Sequence, residues 1–330
     1  MSYANGSALS STDAVQKLVV FLVAAGWTLD LSAAEGTGWR AHLHKDGNFV
    51  HLRAAENEQP WLFGYGPAYA IDMYTGTAFD SGQAWNNQVT GAPIAAGGAN
   101  PVGVGMALSA GPFANYYFFT DSGGDNVVVV IEQTAGLYKY MGWGPSLNKA
   151  GSYTGGAYFF GSGSGYFTGF PAGANLPGFT ATSNCPCCNA DAMAAGCVFV
   201  RADVDSFTGK WICCSDATTG NWGYTGKLGN SSPFGIGITT HTEFPVNGYV
   251  DQPYDFWRLQ TSEFDGRANL LPILLWALRD GTTTGFSLLG DVPFVYQSNA
   301  VGNGFSNAQD YPIGADTYKV FPNFAVKKVV

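Results

Sequence analysis

Residues 116–161 read YYFFTDSGGDNVVVVIEQTAGLYKYMGWGPSLNKAGSYTGGAYFFG, and this stretch decides the fold class of the chain. Aromatic and β-branched runs at 116–119, 127–131 and 137–141 alternate with turn-rich clusters such as DSGGD at 121–125, the pattern of a β-meander. The only carboxylates in the stretch are Asp121, Asp125 and Glu132. It therefore predicts a scaffold of antiparallel strands with little chemistry in it.

The composition of the 330 residues favours an assembly over a lone enzyme. Only 12% of the residues are charged, whereas 15% are aromatic and 45 are glycine. A surface this poor in charge is expected where neighbouring subunits cover it. The net charge of −9 argues against an extended phosphate-binding groove, so nucleic acid is not an expected partner.

No membrane partner is expected either. The longest apolar run, LVVFLVAA at 18–25, is far shorter than the ~20 residues that a membrane-spanning helix needs. The sequence MSYANGSALSSTDAVQK at 1–17 lacks the basic region of a signal peptide, which predicts synthesis in the cytosol.

One helix is predicted near the N-terminus. Ser11 or Thr12 is expected to cap it, Asp13 suits its first turn, and Gly26 suits its C-terminal cap. Apolar residues then recur at helical spacing along one stripe: Val15, Leu18, Val19, Leu22 and Val23. The stripe needs a partner surface, and the hairpin that follows is the expected one.

That hairpin is predicted from Asp46-Gly47, which separates strands at 39–44 and 49–53. A two-residue turn sets Lys45 opposite Asn48, Leu43 opposite Val50 and Ala41 opposite Leu52, which gives an apolar face for the helix. The residues of the other face are polar: Arg40, His42, His44, His51 and Arg53.

The whole chain reads as mainly β with a small N-terminal α+β module, in antiparallel, sandwich-like sheets joined by glycine-rich loops such as 97–101 and 161–165. We divide it into the helix-plus-hairpin module at 1–60, a β domain at 61–180, a cysteine-rich insertion at 181–232 and a C-terminal β region at 233–330. Residues 270–279 favour a strand over a helix because Pro272 interrupts them.

The strongest chemical signal is a cysteine cluster, since all six cysteines fall between 185 and 214: Cys185, Cys187, Cys188, Cys197, Cys213 and Cys214. We favour disulfides within or between subunits, formed once the assembly leaves the reducing cytosol. A four-thiolate zinc site is an alternative, since Cys185 and Cys188 have metal-ligand spacing. Reduced thiols are another.

Three histidines, His42, His44 and His51, share the polar face of the hairpin. Such a triad could hold zinc. Arg40 and Arg53 flank it and oppose a cation, so the interpretation we favour is a polar face in contact with solvent or another subunit, with no metal.

Catalytic signals are weak, and we expect no enzyme. The nucleophile and phosphate-binding motifs GxSxG, HExxH and the P-loop are absent. Asp203 and Asp205 form an Asp-x-Asp pair of the kind that can flank a glycosidic bond, although a salt-bridged surface is the favoured reading. Trp211, Trp222 and Trp257 could stack on sugars, but aromatic residues of a β core are the default.

Several of these motifs resemble tailed-bacteriophage virion structural proteins. The resemblance rests on YYFF at 116–119, NVVVVIE at 126–132, KYMGWG at 139–144, Lys149 and GSYTGGAY at 151–158. GDVPFVYQSN at 290–299 and DTYKVFPNFAVKK at 316–328 resemble the closing strands of the same proteins. The cysteine insertion departs from the group.

The resemblance implies a multi-copy virion component, assembled in the host cytoplasm into a ring or sleeve at the neck, collar, tail or baseplate, with the neck or collar favoured. Its partners would be further copies of the chain and neighbouring virion proteins. Two alternatives stay open: a tail-tip or baseplate module that binds carbohydrate or a receptor, and a particle-borne glycan hydrolase.

Overall fold

The computed structural model describes residues 3–58, 68–92, 101, 103–145, 157–161, 163–165, 197–202, 210–214, 237–240, 271–278, 286–297, 308–321 and 324–329. Six of these segments are described by their backbone alone: 163–165, 197–202, 210–214, 237–240, 271–278 and 286–297. The described residues form mainly antiparallel β structure with one α-helix, which confirms the predicted fold class.

The chain divides into two compact units, and the first contains the helix and two sheets. Its elements are β1 (Tyr3–Ala8), α1 (Ser11–Ala24), β2 (Thr28–Glu35), β3 (Gly38–Lys45), β4 (Asn48–Glu58), β5 (Ala68–Gly76), β6 (Gly103–Leu108), β7 (Phe113–Thr120), β8 (Val127–Thr134), β9 (Leu137–Pro145), most of β10 (Ala157–Gly161) and β11 (Gly163–Gly165). One sheet has the order β1-β7-β8-β9-β10, and the other has the order β11-β6-β5-β4-β3-β2.

The β-meander prediction is confirmed in β7, β8 and β9. The turn between β7 and β8 is closed by Asp121, whose Oδ1 accepts from the backbone N–H of Asp125 at 2.9 Å and whose Oδ2 accepts from Nδ2 of Asn126 at 2.6 Å. β8 is buried without interruption from Val127 to Gln133. Both of its faces are therefore covered, as its continuous apolar sequence requires.

The ends of α1 follow from local signals. The cap is Ser10, one residue before the predicted Ser11 or Thr12, and its Oγ accepts from the Asp13 N–H at 3.3 Å. At the other end Gly26 has φ +95°, as predicted for the glycine that follows a helix. The N–H groups of Gly26 and Trp27 donate to the carbonyls of Val23 and Leu22, respectively, in a Schellman motif.

The helix packs against β3 and β4, the predicted partner, and also contacts β1 and β7. Val15, Leu18, Val19 and Leu22 are buried as predicted, but Val23 is 46% exposed. Phe21 is buried in its place, with its ring 5.7 Å from that of Phe118 on β7. The second contact surface thus rotates the buried face away from Val23.

In the described part of the chain no helix is long and apolar enough to cross a membrane.

The hairpin register is confirmed residue by residue. Lys45 pairs with Asn48, and the predicted partners Leu43–Val50 and Ala41–Leu52 lie opposite each other. Asp46 and Gly47 both have positive φ, 48° and 79°, as a type I′ turn demands.

One loop prediction is wrong. Residues 163–165, which we expected in a glycine-rich connector, form β11 and pair with β6. Gly161 comes so close to Val104 that an added Cβ would lie 2.8 Å from the valine side chain. Glycine serves here for close packing of strands, a second common role of the residue.

The second unit contains the remaining strands: β12 (Cys197–Ala202), β13 (Lys210–Cys214), β14 (Gly237–Thr240), β15 (Leu271–Leu278), β16 (Phe286–Gln297), β17 (Gln309–Ile313), β18 (Asp316–Phe321) and β19 (Phe324–Lys328). They follow the order β12-β13-β14-β15-β16-β19-β18-β17, antiparallel in each described pair except the parallel pair β13–β14. The strand predicted around Pro272 is confirmed as β15, and the register shifts beside this proline.

Candidate functional site

Two of the three histidines of the hairpin form a buried pair. His42 on β3 lies opposite His51 on β4, as the register predicted, and their Nδ1 atoms are 2.8 Å apart. A bond between two Nδ1 atoms needs one donor and one acceptor, so two neutral rings must be opposite tautomers. One ring then has a lone pair on Nε2 and the other a proton there. Neither Nε2 has a hydrogen-bond partner among the described residues.

A loop in the connection from β5 to β6 covers this pair. Residues 77–92 leave β5 and return close to their start, where the Thr77 N–H donates to the Thr90 carbonyl at 2.9 Å. The ring of Phe79 lies over His42 with 4.6 Å between centroids. Trp85 packs edge-on against Tyr74 of β5, whose hydroxyl donates to the Trp85 carbonyl. We call residues 77–92 the cover loop.

Gln88 holds the cover loop together from inside. Its side chain is buried, its Nε2 donates to the Asp80 carbonyl at 2.8 Å, and its Oε1 accepts from the Asp80 N–H at 2.7 Å. The loop is thus a compact Ω-loop that carries its own internal hydrogen bonds and presents two aromatic rings to the sheet.

The surroundings keep both imidazoles neutral. Burial first, and then the positive charge of Arg40, lower the pKa of His42 to about 3. Burial, and then His42, hold the pKa of His51 well below its ordinary value. The two arginines that flank the pair are bound to carboxylates, Arg40 to Glu35 at 3.1 Å and Arg53 to Glu58 at 2.9 Å.

Our interpretation of the hairpin's polar face as a solvent or subunit contact is wrong for His42 and His51, which are both fully buried. The sequence hid this because the cover loop lies well beyond the hairpin in the chain. His44 is only partly buried and turns to Asp30, with its Nδ1 2.9 Å from the carboxylate. The third member of the triad thus has another partner. The described residues contain no group of three or more potential metal ligands.

A second buried ionisable group, Glu132 on β8, is fully bonded. Its Oε2 accepts from Nδ2 of Asn115 at 2.8 Å and from the Tyr117 hydroxyl at 3.0 Å, and its Oε1 accepts from the Gly136 N–H at 3.1 Å and the Tyr138 hydroxyl at 3.2 Å. Burial tends to raise the pKa of Glu132, but the four hydrogen bonds outweigh it and the pKa falls below its ordinary value. The carboxylate therefore ties β7, β8 and β9 together.

An apolar groove lies between α1 and the edge of the first sheet. It encloses about 330 Å³. The lining is almost entirely uncharged: Ala4, Gln16, Lys17, Val20, Phe21, Ala24, Tyr116 and Phe118. Val20 is 71% exposed at its rim. Lys17, the one cation among the described lining residues, is paired with Asp13 at 2.7 Å.

The floor of the groove depends on a glycine. The Tyr116 ring crosses β1 at Gly6, where an added Cβ would lie 3.0 Å from the tyrosine hydroxyl, and stacks on Phe118 at 4.3 Å. β1 ends its sheet and pairs on one side with β7, with no strand on its other side in the described ranges. We call the groove with this open edge the α1–β1 surface. Sequence reasoning missed it, although Val20 lies off the apolar stripe of the helix.

The other predicted site residues lie where side chains are not described. Cys185, Cys187, Cys188, Asp203, Asp205, Trp222 and Trp257 fall outside the described residues. Cys213 and Cys214 lie on β13 opposite Phe199 and Val198, Cys197 begins β12, and Trp211 pairs with Arg201. The disulfide and zinc hypotheses and the glycan-related alternatives therefore stay predictions.

No protein-family model matches the chain, and a search of curated proteins finds no match.

Proposed function

We propose that the chain is a structural component of a tailed-phage virion, which self-associates into a ring or sleeve around the head–tail junction or the tail. The observation that carries the self-association is the α1–β1 surface. Exposed aliphatic side chains there adjoin a groove and a strand edge that has no strand partner within the described residues. The virion assignment rests on the resemblance of the meander and closing strands.

The occupant of the α1–β1 surface is a second copy of this chain. Copies with a net charge of −9 repel one another, so they meet best where charge is absent. β1 has no charged residue, and the ion pair between Asp13 and Lys17 leaves the adjoining helix face neutral. The surface is thus compatible with itself, whereas most of an acidic chain is not.

The edge of β1 suits pairing with another strand. Natural sheets protect exposed edges with charges or prolines, and β1, with the sequence YANGSA, has neither. The Ser7 carbonyl already accepts from Lys17 Nζ at 2.8 Å, so an added strand would gain its backbone hydrogen bonds along the part of β1 before Ser7. Apolar side chains of the incoming copy would fill the groove beside Val20. Association of this kind requires no cofactor.

The role in the particle is that of a rigid scaffold. Glu132 joins three strands of the meander through side-chain hydrogen bonds, and the strand between its partners is buried on both faces. Further copies and neighbouring virion proteins are the partners, and assembly takes place in the host cytoplasm. The cysteines of residues 185–214 would cross-link the assembly after release.

The experiment is analytical ultracentrifugation of the full chain, with Val20→Lys and the matched control Val89→Lys. Val89 is also exposed, at 42%, but lies on the cover loop away from the groove. We expect the wild type to form multimers. The dissociation constant should be at least about tenfold higher for V20K and unchanged for V89K. A wild-type chain that stays monomeric at high concentration contradicts self-association. Absence of the chain from purified particles, measured by mass spectrometry, contradicts the virion role.

A further inference from the structure

The buried histidine pair is a poor permanent core. Two imidazoles share one hydrogen bond, and each has a buried Nε2 with no partner among the described residues. A buried polar atom without a partner costs free energy in the closed state. Opening the cover loop would let water reach both Nε2 atoms and remove that cost.

The cover loop has its own hydrogen bonds, so it can open as one cooperative unit. The bond between Thr77 and Thr90 closes its base, and Gln88 links its two limbs from within. Its attachment to the histidines is the ring of Phe79, which makes contact without a hydrogen bond. Trp85 packs its ring against Tyr74, and its carbonyl accepts from the Tyr74 hydroxyl. The described contacts to the histidines are thus ring contacts, and opening of the loop would expose its own hydrogen bonds to water.

We propose that residues 77–92 form an acid-released cover, which protonation of the His42–His51 pair lifts off the sheet while α1 and the meander stay folded. A proton on the pair would turn both Nε2 atoms into buried donors. It would also place a positive charge beneath Phe79 and beside Arg40. Release would expose the rings of Phe79, Trp85 and Tyr74 and create an apolar surface that exists only in acid.

Charged and titratable groups approach the pair from each element packed on it. They are Arg40 and His44 on β3, Arg53 on β4, Asp72 and Tyr74 on β5, and Asp80 in the cover loop. Glu35 and Glu58 are bound to the arginines, and Asp30 is bound to His44. Asp72 is buried opposite Arg53 in the strand register. Glu35, Glu58 and Asp30 thus have basic partners of their own, and we assign the response to acid to the histidine pair.

The direction of the response follows from linkage. The closed state holds the histidines neutral, whereas the open state lets them titrate near their ordinary pKa of about 6.5. The open state therefore binds more protons below that pH, and acid favours it. One histidine alone would raise the opening constant about 100-fold between about pH 7 and about pH 4.5.

The test is hydrogen exchange of the full chain, followed by mass spectrometry and corrected for the intrinsic pH dependence of exchange. The N–H groups of Asp80, Gln83 and Ala92 are hydrogen-bonded within the loop and report its opening. Peptides from β8 report the rest of the unit. We expect loop opening to rise about 100-fold from about pH 7 to about pH 4.5, with β8 still protected.

Variants distinguish protonation of the histidine pair from a general loss of stability. His42→Phe with His51→Phe keeps two aromatic rings but removes the groups that bind protons. The acid-induced increase in loop opening should therefore vanish. His44→Phe, the matched control on the same face, should keep it. If the double variant fails to fold, Phe79→Ala keeps the pair titratable, so its loop should open more than the wild-type loop at every pH and still show the rise; a Phe79→Ala loop without the rise would also contradict the proposal. The proposal is overturned if the wild-type loop does not respond, if the double variant responds as the wild type does, or if β8 loses protection together with the loop.

Discussion

The histidine pair and Glu132 are both buried ionisable sites in the first unit, yet they reach opposite protonation states. Glu132 is ionised because four donors surround its two oxygens. His42 and His51 are neutral because burial disfavours their charged forms, Arg40 lies near His42, and the described residues offer the two rings no hydrogen bond beyond the one they share. Burial alone favours the neutral form of any such group. The number of hydrogen-bond partners decides whether that tendency wins.

The two sites also differ in what they do for the fold. Glu132 bonds to side chains on both neighbouring strands and to the turn between β8 and β9, so the strands cannot separate without exposing it. The histidine pair faces a loop that contacts it through the ring of Phe79 and packs Trp85 on Tyr74. The first arrangement makes a permanent joint, and the second makes a removable one.

The largest effect is expected from Glu132→Ala. The change leaves four donors without their acceptor in a buried place, which should lower the free energy of unfolding by about 3 kcal/mol or more. Urea unfolding followed by the exchange protection of β8 amides measures it. The matched control is Gln133→Ala, whose Oε1 accepts one bond, from the Ser109 N–H at 2.6 Å, and which should cost about 1 kcal/mol. Equal losses for the two variants would contradict the role of Glu132.

The next largest effect is expected from acid, because the two sites lose their contributions to stability at different pH. The pKa of His42 is lowered in the folded chain, so the unfolded chain binds more protons below about pH 6.5 and stability falls by about 1.4 kcal/mol per pH unit for each histidine. The pKa of Glu132 is also lowered, and its contribution is lost only as the pH falls below about 4.5.

Free energies of unfolding measured at a series of pH values check this order. His42→Phe with His51→Phe should flatten the decline above about pH 5 and leave the steeper decline below it. A decline that is unchanged above that pH would show that other groups cause it.

Each tyrosine bonded to Glu132 should contribute a smaller amount. Tyr117→Phe and Tyr138→Phe each remove one donor to the carboxylate, and each should cost about 1 kcal/mol. Both should raise the pKa of Glu132, because hydrogen bonds to the charged form are what lower it. Carboxyl carbon NMR measures that pKa. An unchanged value in both variants would mean that the backbone and Asn115 suffice.

The smallest effect is expected from His44→Gln. His44 is partly exposed and bound to Asp30 on a neighbouring strand, and partly exposed polar contacts of this kind contribute about 1 kcal/mol or less. Thermal unfolding should shift by only a few degrees. A loss as large as that of Glu132→Ala would mean that the exposed histidine, too, is part of the core.

Local features were predicted well because their signals lie within a few residues. Asp46-Gly47 set the hairpin register, and the turn at 121–125 set the β7–β8 pair. Gly26 marked the end of α1. The predicted N-cap was wrong by one residue. Ser10, Ser11 and Thr12 offer equivalent hydroxyls, and only the backbone path selects among them.

The candidate site was predicted only in part. The register placed His42 opposite His51, but not the covering of the pair, and Glu132 was read as scaffold without its four partners. The α1–β1 surface was not predicted, because the exposure of Val20 depends on how β1 and β7 receive the helix.

By itself, the sequence determined the strands, the turns and the pairing of neighbours along the chain, because backbone conformation and alternation depend on adjacent residues. The tertiary structure alone decided which polar groups are buried and with what partners. The cover loop reaches His42 from beyond β5, and Glu132 collects donors from β7, β8–β9 and β9. Burial and hydrogen bonding are properties of segments that meet in space, and no pattern within one segment specifies them.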